Sequence, residues 1–173
     1  MDIYMIILRL IHILSGTFWV GTAFFFVLFF EPTITAAGPA GGTVMGRLTL
    51  TRFPMVMFSA SILTVAAGFL MYLIDSGGFQ INWISTPSGV TMMIGSIAGI
   101  LAFLLGLTVQ MPASARMAAL QKEIQAAGGP PTPSQMEEMH VLLERISNAS
   151  RWGAVLMVIA VLGMAIARDL GKL

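Results

Sequence analysis

Arg9 and His12 interrupt the first long apolar run of this 173-residue chain, MDIYMIILRLIHILSGTFWVGTAFFF. Ionisable groups in such runs are costly unless paired or ligated, so they are the first functional candidates. They stand three residues apart, and Gly16 and Trp19 follow His12 at i+4 and i+7, which puts all four on one helical face. An imidazole ligates metals through either ring nitrogen. A glycine one turn further along leaves a shelf where a flat macrocycle could lie against backbone. The alternative is that His12 bonds a neighbouring carbonyl and Gly16 permits close helix packing.

Depth adds partners to this face. A ruler of about 1.5 Å per residue, started at Glu31, Pro54, Gln110 and Arg151, puts His12 at about 28 Å, Met71, Met93 and Arg168 at about 26 Å, and Met164 at about 20 Å. One imidazole and several thioethers in one layer suit haem iron or Cu(I). The chain has 14 methionines, however, and methionine is ordinary filler in apolar cores. His140, beside Glu137 and Glu144, reads as a solvated helix-surface residue on the opposite side of the membrane. Ser15, Ser59, Ser61 and Ser96 lack a histidine-plus-carboxylate arrangement, so no catalytic constellation for hydrolysis is expected.

The elements that must position these residues are membrane helices. Hydrophobic residues make up 57% of the chain and charged ones 10%, against roughly 45–50% and 25% in soluble domains, and the mean hydropathy is +0.88. A net charge of +1 provides no field to hold a nucleic acid. The absence of cysteine removes disulfides, thiolate metal sites and iron–sulfur clusters. With Asp2 and a long apolar run, the start is unlike a cleaved leader and is read as a span.

Four runs reach the roughly 20 residues needed to cross a bilayer: 3–30, 54–74, 88–111 and 152–168. Their apolar residues go all the way round, so an all-α integral membrane four-helix bundle is expected. Arg47, Arg52, Arg116, Lys122, Arg145 and Arg151 fall on one side, whereas Arg9, Arg168 and Lys172 fall on the other. The basic excess predicts a multi-pass cell-membrane protein with both termini outside and 112–151 in the cytoplasm.

Segment 112–151 carries Ala113, Met117, Leu120, Ile124 and Ala127, then Met139, Leu142, Ile146 and Ala149, at alternating four- and three-residue steps. These arms flank GGPPTP, and Ser134 with Glu137 forms a capping-box pattern. A helical hairpin extending the bundle is expected, either self-packed or a docking surface for a protein partner. In DSGGFQINWISTP the apolar Phe79, Ile81, Trp83 and Ile84 predict an interfacial lid, with Pro87 in the first turn of the third span and Thr86 as its cap. No internal repeat is visible.

The opening HILSGTFWVGTAFFF, with His12, Trp19 and Gly21, resembles the bacterial four-helix membrane families related to copper resistance protein D. The family of the oxygen-independent protoporphyrinogen oxidase, a haem-associated four-helix protein, shows a similar His…Trp…Gly opening. RLTLTRF before the second span, Ala67-Gly68 where those families tend to show Thr-Gly, and TPSG opening the third span are further echoes. The resemblance implies a haem or copper role with His12 as ligand. Gly95 stands where those families often carry a lysine, which weakens porphyrinogen chemistry.

On this reading the cofactor is haem b, with His12 and Met164 as axial ligands, Arg9 and Arg168 toward the propionates, and Gly16 and Trp19 beside the ring. The copper alternative uses His12, Met71, Met93 and Met164. A bis-histidine cytochrome within one chain is excluded because the spans contain a single histidine, whereas ligation across an oligomer stays open. A third alternative is a cofactor-free subunit that docks to a larger membrane complex.

Overall fold

The computed structural model describes residues 3–170, and Asp2 and Lys172, used above, lie outside them. Helix α1 runs from Ile3 to Ala36, α2 over Pro39–Thr49, α3 over Phe53–Asp75, the short α4 over Ile81–Ile84, α5 over Pro87–Ala127 and α6 over Pro133–Leu170. No strand occurs among the described residues. Four helices, α1, α3, α5 and α6, are long and apolar enough to span a membrane. The chain is a multi-pass, all-α membrane protein.

Helical hydrogen bonding extends past three of the four apolar segments. Helix α6 is 38 residues long, about 57 Å at the α-helical rise, nearly twice a bilayer's hydrocarbon core of about 30 Å. Two prolines that would normally end or kink a helix are absorbed in the same way. The backbone widens to a π-turn over Phe26–Phe30 just before Pro32, and over Gly106–Gln110 just before Pro112. The N–H of Glu31 reaches Phe26 O, and that of Met111 reaches Gly106 O. A proline has no N–H and crowds the carbonyl four residues back, so a local i→i−5 turn lets the helix continue.

The bundle is built as two close pairs. Helices α5 and α6 meet through small residues, with Gly95, Ala98, Ala102, Ala160 and Ala167 buried along the seam. A Cβ on Gly163 would lie 3.0 Å from Gly95 Cα, and one on Gly95 would lie 3.1 Å from Ala160 O. The Ser88 hydroxyl closes the far end by donating to Ala167 O at 2.7 Å. Helices α1 and α3 form the second pair. The pairs meet around Trp19, Ala60, Ala102 and Met157, with Phe58 stacked on Phe103 at 6.2 Å between centroids.

Beyond the apolar segments, Ala113, Met117 and Leu120 of α5 pack on Leu142 and Ile146 of α6, and Met45 of α2 joins them. Arg116 forks onto Glu138 through Nε at 2.6 Å and Nη2 at 2.9 Å, and reaches Glu123 through Nη1 at 2.9 Å. Hydrogen bonding from Arg116 holds the Glu138 carboxyl below its usual value. Gly128, with φ +66°, ends α5 in the left-handed conformation that glycine adopts without strain.

The cap of α6 lies two residues earlier than Ser134 and Glu137 suggest. Thr132 N donates to Gln135 Oε1 at 2.9 Å, and Gln135 N donates to Thr132 Oγ1 at 3.3 Å. Pro133 is why, since it fits the first helical turn and shifts the reciprocal pair onto Thr132 and Gln135. At the other end of the bundle Thr86 caps α5 by accepting from Gly89 N at 3.0 Å. Tyr72 there gathers Phe79 at 5.9 Å and Trp83 at 5.4 Å.

Candidate functional site

His12 sits on the inward stripe of α1, half-buried and facing α3. Its Nδ1 lies 2.8 Å from Thr64 O. A backbone carbonyl can only accept, so Nδ1 carries a proton, and in the neutral ring Nε2 is then the nitrogen with the lone pair. The ring rests on bare backbone, because a Cβ on Gly68 would stand 2.8 Å from His12 Cε1 and 2.9 Å from Nδ1. The seam continues with the Thr64 hydroxyl 2.8 Å from both Ser15 Oγ and Ala60 O, while Ser15 donates to Ile11 O at 2.6 Å.

The shelf expected at Gly16 is filled by protein. A Cβ there would meet Thr64 Cγ2 at 3.3 Å, so Gly16 serves the close approach of α1 and α3. Thr64 is β-branched, and its methyl is the group that faces Gly16. The remaining candidates separate. Arg9 is exposed, Met71 and Met93 are half-buried, and Arg168 is exposed in the last turn of α6. Trp19 is 8% exposed and belongs to the core with Ala60, Ala102 and Met157. Met164 packs its backbone N against Gly95 in the α5–α6 seam, whereas the contacts of His12 are in the α1–α3 seam. Among the described residues no group of three or more His, Cys, Asp and Glu side chains converges.

A second polar cluster escaped the sequence reading. Glu31, just past the π-turn of α1, accepts from Arg151 Nη2 at 2.6 Å and from the Ser147 hydroxyl. Gln110, at the end of the π-turn of α5, donates to Ser150 Oγ at 3.0 Å. Both π-turns therefore deliver a polar side chain to one face of α6, where Ser147, Ser150 and Arg151 follow at i, i+3 and i+4. The available signal was the pair of opposite charges, Glu31 and Arg151, each at the end of an apolar run. His140 is exposed, with Nε2 3.3 Å from Glu144 Oε1, and it borders the same cluster.

No family model matches the chain, and no curated protein or solved structure matches it.

Proposed function

We propose that the protein is a membrane haem b-binding protein in which His12 would hold the haem iron through Nε2. The observation that carries this reading is the hydrogen bond from His12 Nδ1 to Thr64 O at 2.8 Å. In the neutral ring it selects the tautomer with the lone pair on Nε2, the form in which a histidine binds iron. Gly68 supports the same state by letting the ring lie against the backbone of α3. Arg9, exposed three residues before His12, is within one turn of the imidazole and supplies a cation for a propionate. Haem held here would supply a one-electron redox centre for electron transfer or haem handling. A copper site would draw on the same imidazole, but it needs thioethers to converge on it, and Met164 packs in the other helix pair.

In this reading the termini and the His12 end of the bundle face outward. The 112–151 hairpin and the Glu31–Arg151 cluster face the cytoplasm, on the strength of the six basic residues on that side. The visible spectrum of the purified protein tests the ligand. Wild type and His140→Ala should share a Soret band, and His12→Ala should lose it. A Soret band unchanged by His12→Ala refutes the assignment.

A further inference from the structure

Two cavities adjoin in the half of the bundle away from His12. The inner one, about 380 Å³, lies among all four long helices with Trp19, Phe58 and Met157 in its walls. The outer one, about 320 Å³, is bordered by Glu31, His140, Ser147 and Arg151. Phe26, Met45, Ile146 and Ser150 line both. Each is large enough for a small ligand, for which sites span roughly 300–1,000 Å³.

The space is built into the fold by glycine. Gly153 is buried, yet a Cβ built on it would meet no atom within 4 Å, and a Cβ on the half-buried Gly42 of the outer cavity would likewise meet none. Interiors are close-packed, so a buried glycine facing empty space marks a cavity the packing does not close. In the α5–α6 seam, by contrast, Gly95 and Gly163 are each met by backbone.

Polarity and charge select the occupant. The inner walls are aromatic and thioether, and the outer ones carry one ion pair, Arg151 with Glu31 at 2.6 Å, with His140 Nε2 3.3 Å from Glu144 Oε1 beside it. A charged head would have to compete with the Glu31–Arg151 pair. A neutral head needs only a hydrogen bond, and Ser150 offers one at the junction. Its Oγ accepts from Gln110 at 3.0 Å, which leaves its hydroxyl proton to donate. The polar mouth also stands where the apolar run of α6 begins, at Arg151 and Trp152, which is the depth at which a lipid changes from head to chain.

We propose that the two cavities form one pocket for an uncharged single-chain amphiphile, with its head hydrogen-bonded near Ser150 and its chain running inward past Met157 toward Trp19. The pocket is separate from His12, so this proposal stands or falls independently of the haem reading.

A monoacylglycerol with a diazirine in its chain, photolysed with the full-length protein in phosphatidylcholine nanodiscs, tests it. The label should fall on Met157 and Ala102, saturate, and be competed by monooleoylglycerol but not by oleate or oleylamine. Labelling of these residues should fall about tenfold in both Gly153→Leu and Gly42→Leu, which fill the void while removing no packed group. If Gly153→Leu loses helix content, Gly42→Leu at the half-exposed mouth decides. Labelling confined to lipid-facing residues such as Val155 and Val158, equal competition by oleate or oleylamine, or unchanged labelling in the folded variants would overturn the proposal.

Discussion

Gly68→Ala adds one methyl group where the imidazole of His12 rests. The new Cβ would stand 2.8 Å from Cε1 and 2.9 Å from Nδ1, against about 3.5–4.0 Å for ordinary carbon contacts, so the ring must retreat by about 0.6–1.2 Å. A move of that size takes Nδ1 from 2.8 Å to about 3.5 Å from Thr64 O, the limit of a hydrogen bond. Losing such a bond costs about 0.5–1.5 kcal/mol, roughly a two- to twelvefold change in an equilibrium constant. The assay is haem titration followed at the Soret band, with ¹⁵N NMR of the His12 ring reporting whether Nδ1 still carries a hydrogen-bonded proton. Gly16→Ala is the control, since its Cβ meets a side-chain methyl at 3.3 Å that can yield by a few tenths of an ångström. Haem affinity in Gly68→Ala equal to wild type, with the Nδ1 signal unshifted, would refute the reasoning.

Leu120 is fully buried between α5, α6 and α2, and Leu120→Ala should cost about 2–5 kcal/mol through lost contact and residual cavity. Chemical unfolding monitored by protease cleavage near Gly128 measures it. Gly163→Leu should drive α5 and α6 apart, because even a Cβ there lies 3.0 Å from Gly95 Cα; a loss of at least about 1–3 kcal/mol is expected in thermal unfolding. The Glu138 carboxyl is held below its ordinary value by hydrogen bonding from Arg116. Its contribution is therefore complete above the ordinary glutamate pKa of about 4.3 and is lost as the pH falls through the lowered folded value. Hydrogen exchange in 116–138 should accelerate in that acid window in wild type and show no such step in Glu138→Gln.

Much of the architecture was legible because lipid imposes a single requirement, internally satisfied backbone, and apolar length reveals it. The four spans follow from that alone. The inward positions Met117, Leu120, Leu142 and Ile146 were equally visible, because α5 and α6 bury one stripe each and the stripe repeats along the chain. Helix α2 was not foreseen: PAGGTVMGRLT has too little apolar periodicity to announce itself. It holds because Gly46 lets Gln121 lie against its backbone and Met45 enters a core supplied by other helices. Helical continuity through Pro32 and Pro112 was also hidden, since proline signals a break and the π-turns that absorb it leave no residue pattern.

At the site, His12 was conspicuous as an imidazole in an apolar run. A neighbouring carbonyl was among the partners the sequence offered it, but that the carbonyl is Thr64's and that Gly68 gives the ring its place were not legible, because both act through the backbone of another helix. For Gly16 the sequence left a ligand shelf and close helix packing both open, since a glycine reveals only that something approaches closely, and here the approaching group is Thr64. Glu31 and Arg151 are 120 positions apart, and only the closing of the bundle shows that they pair.

The most direct test of the central claim is rescue of an emptied ligand position. Purified His12→Gly protein, supplied with haem, should fail to develop the wild-type Soret band, and added imidazole should restore it by occupying the vacated place against Gly68 and Thr64. A wild-type protein that takes up no haem would contradict the account, as would a His12→Gly protein that binds haem as wild type does without imidazole.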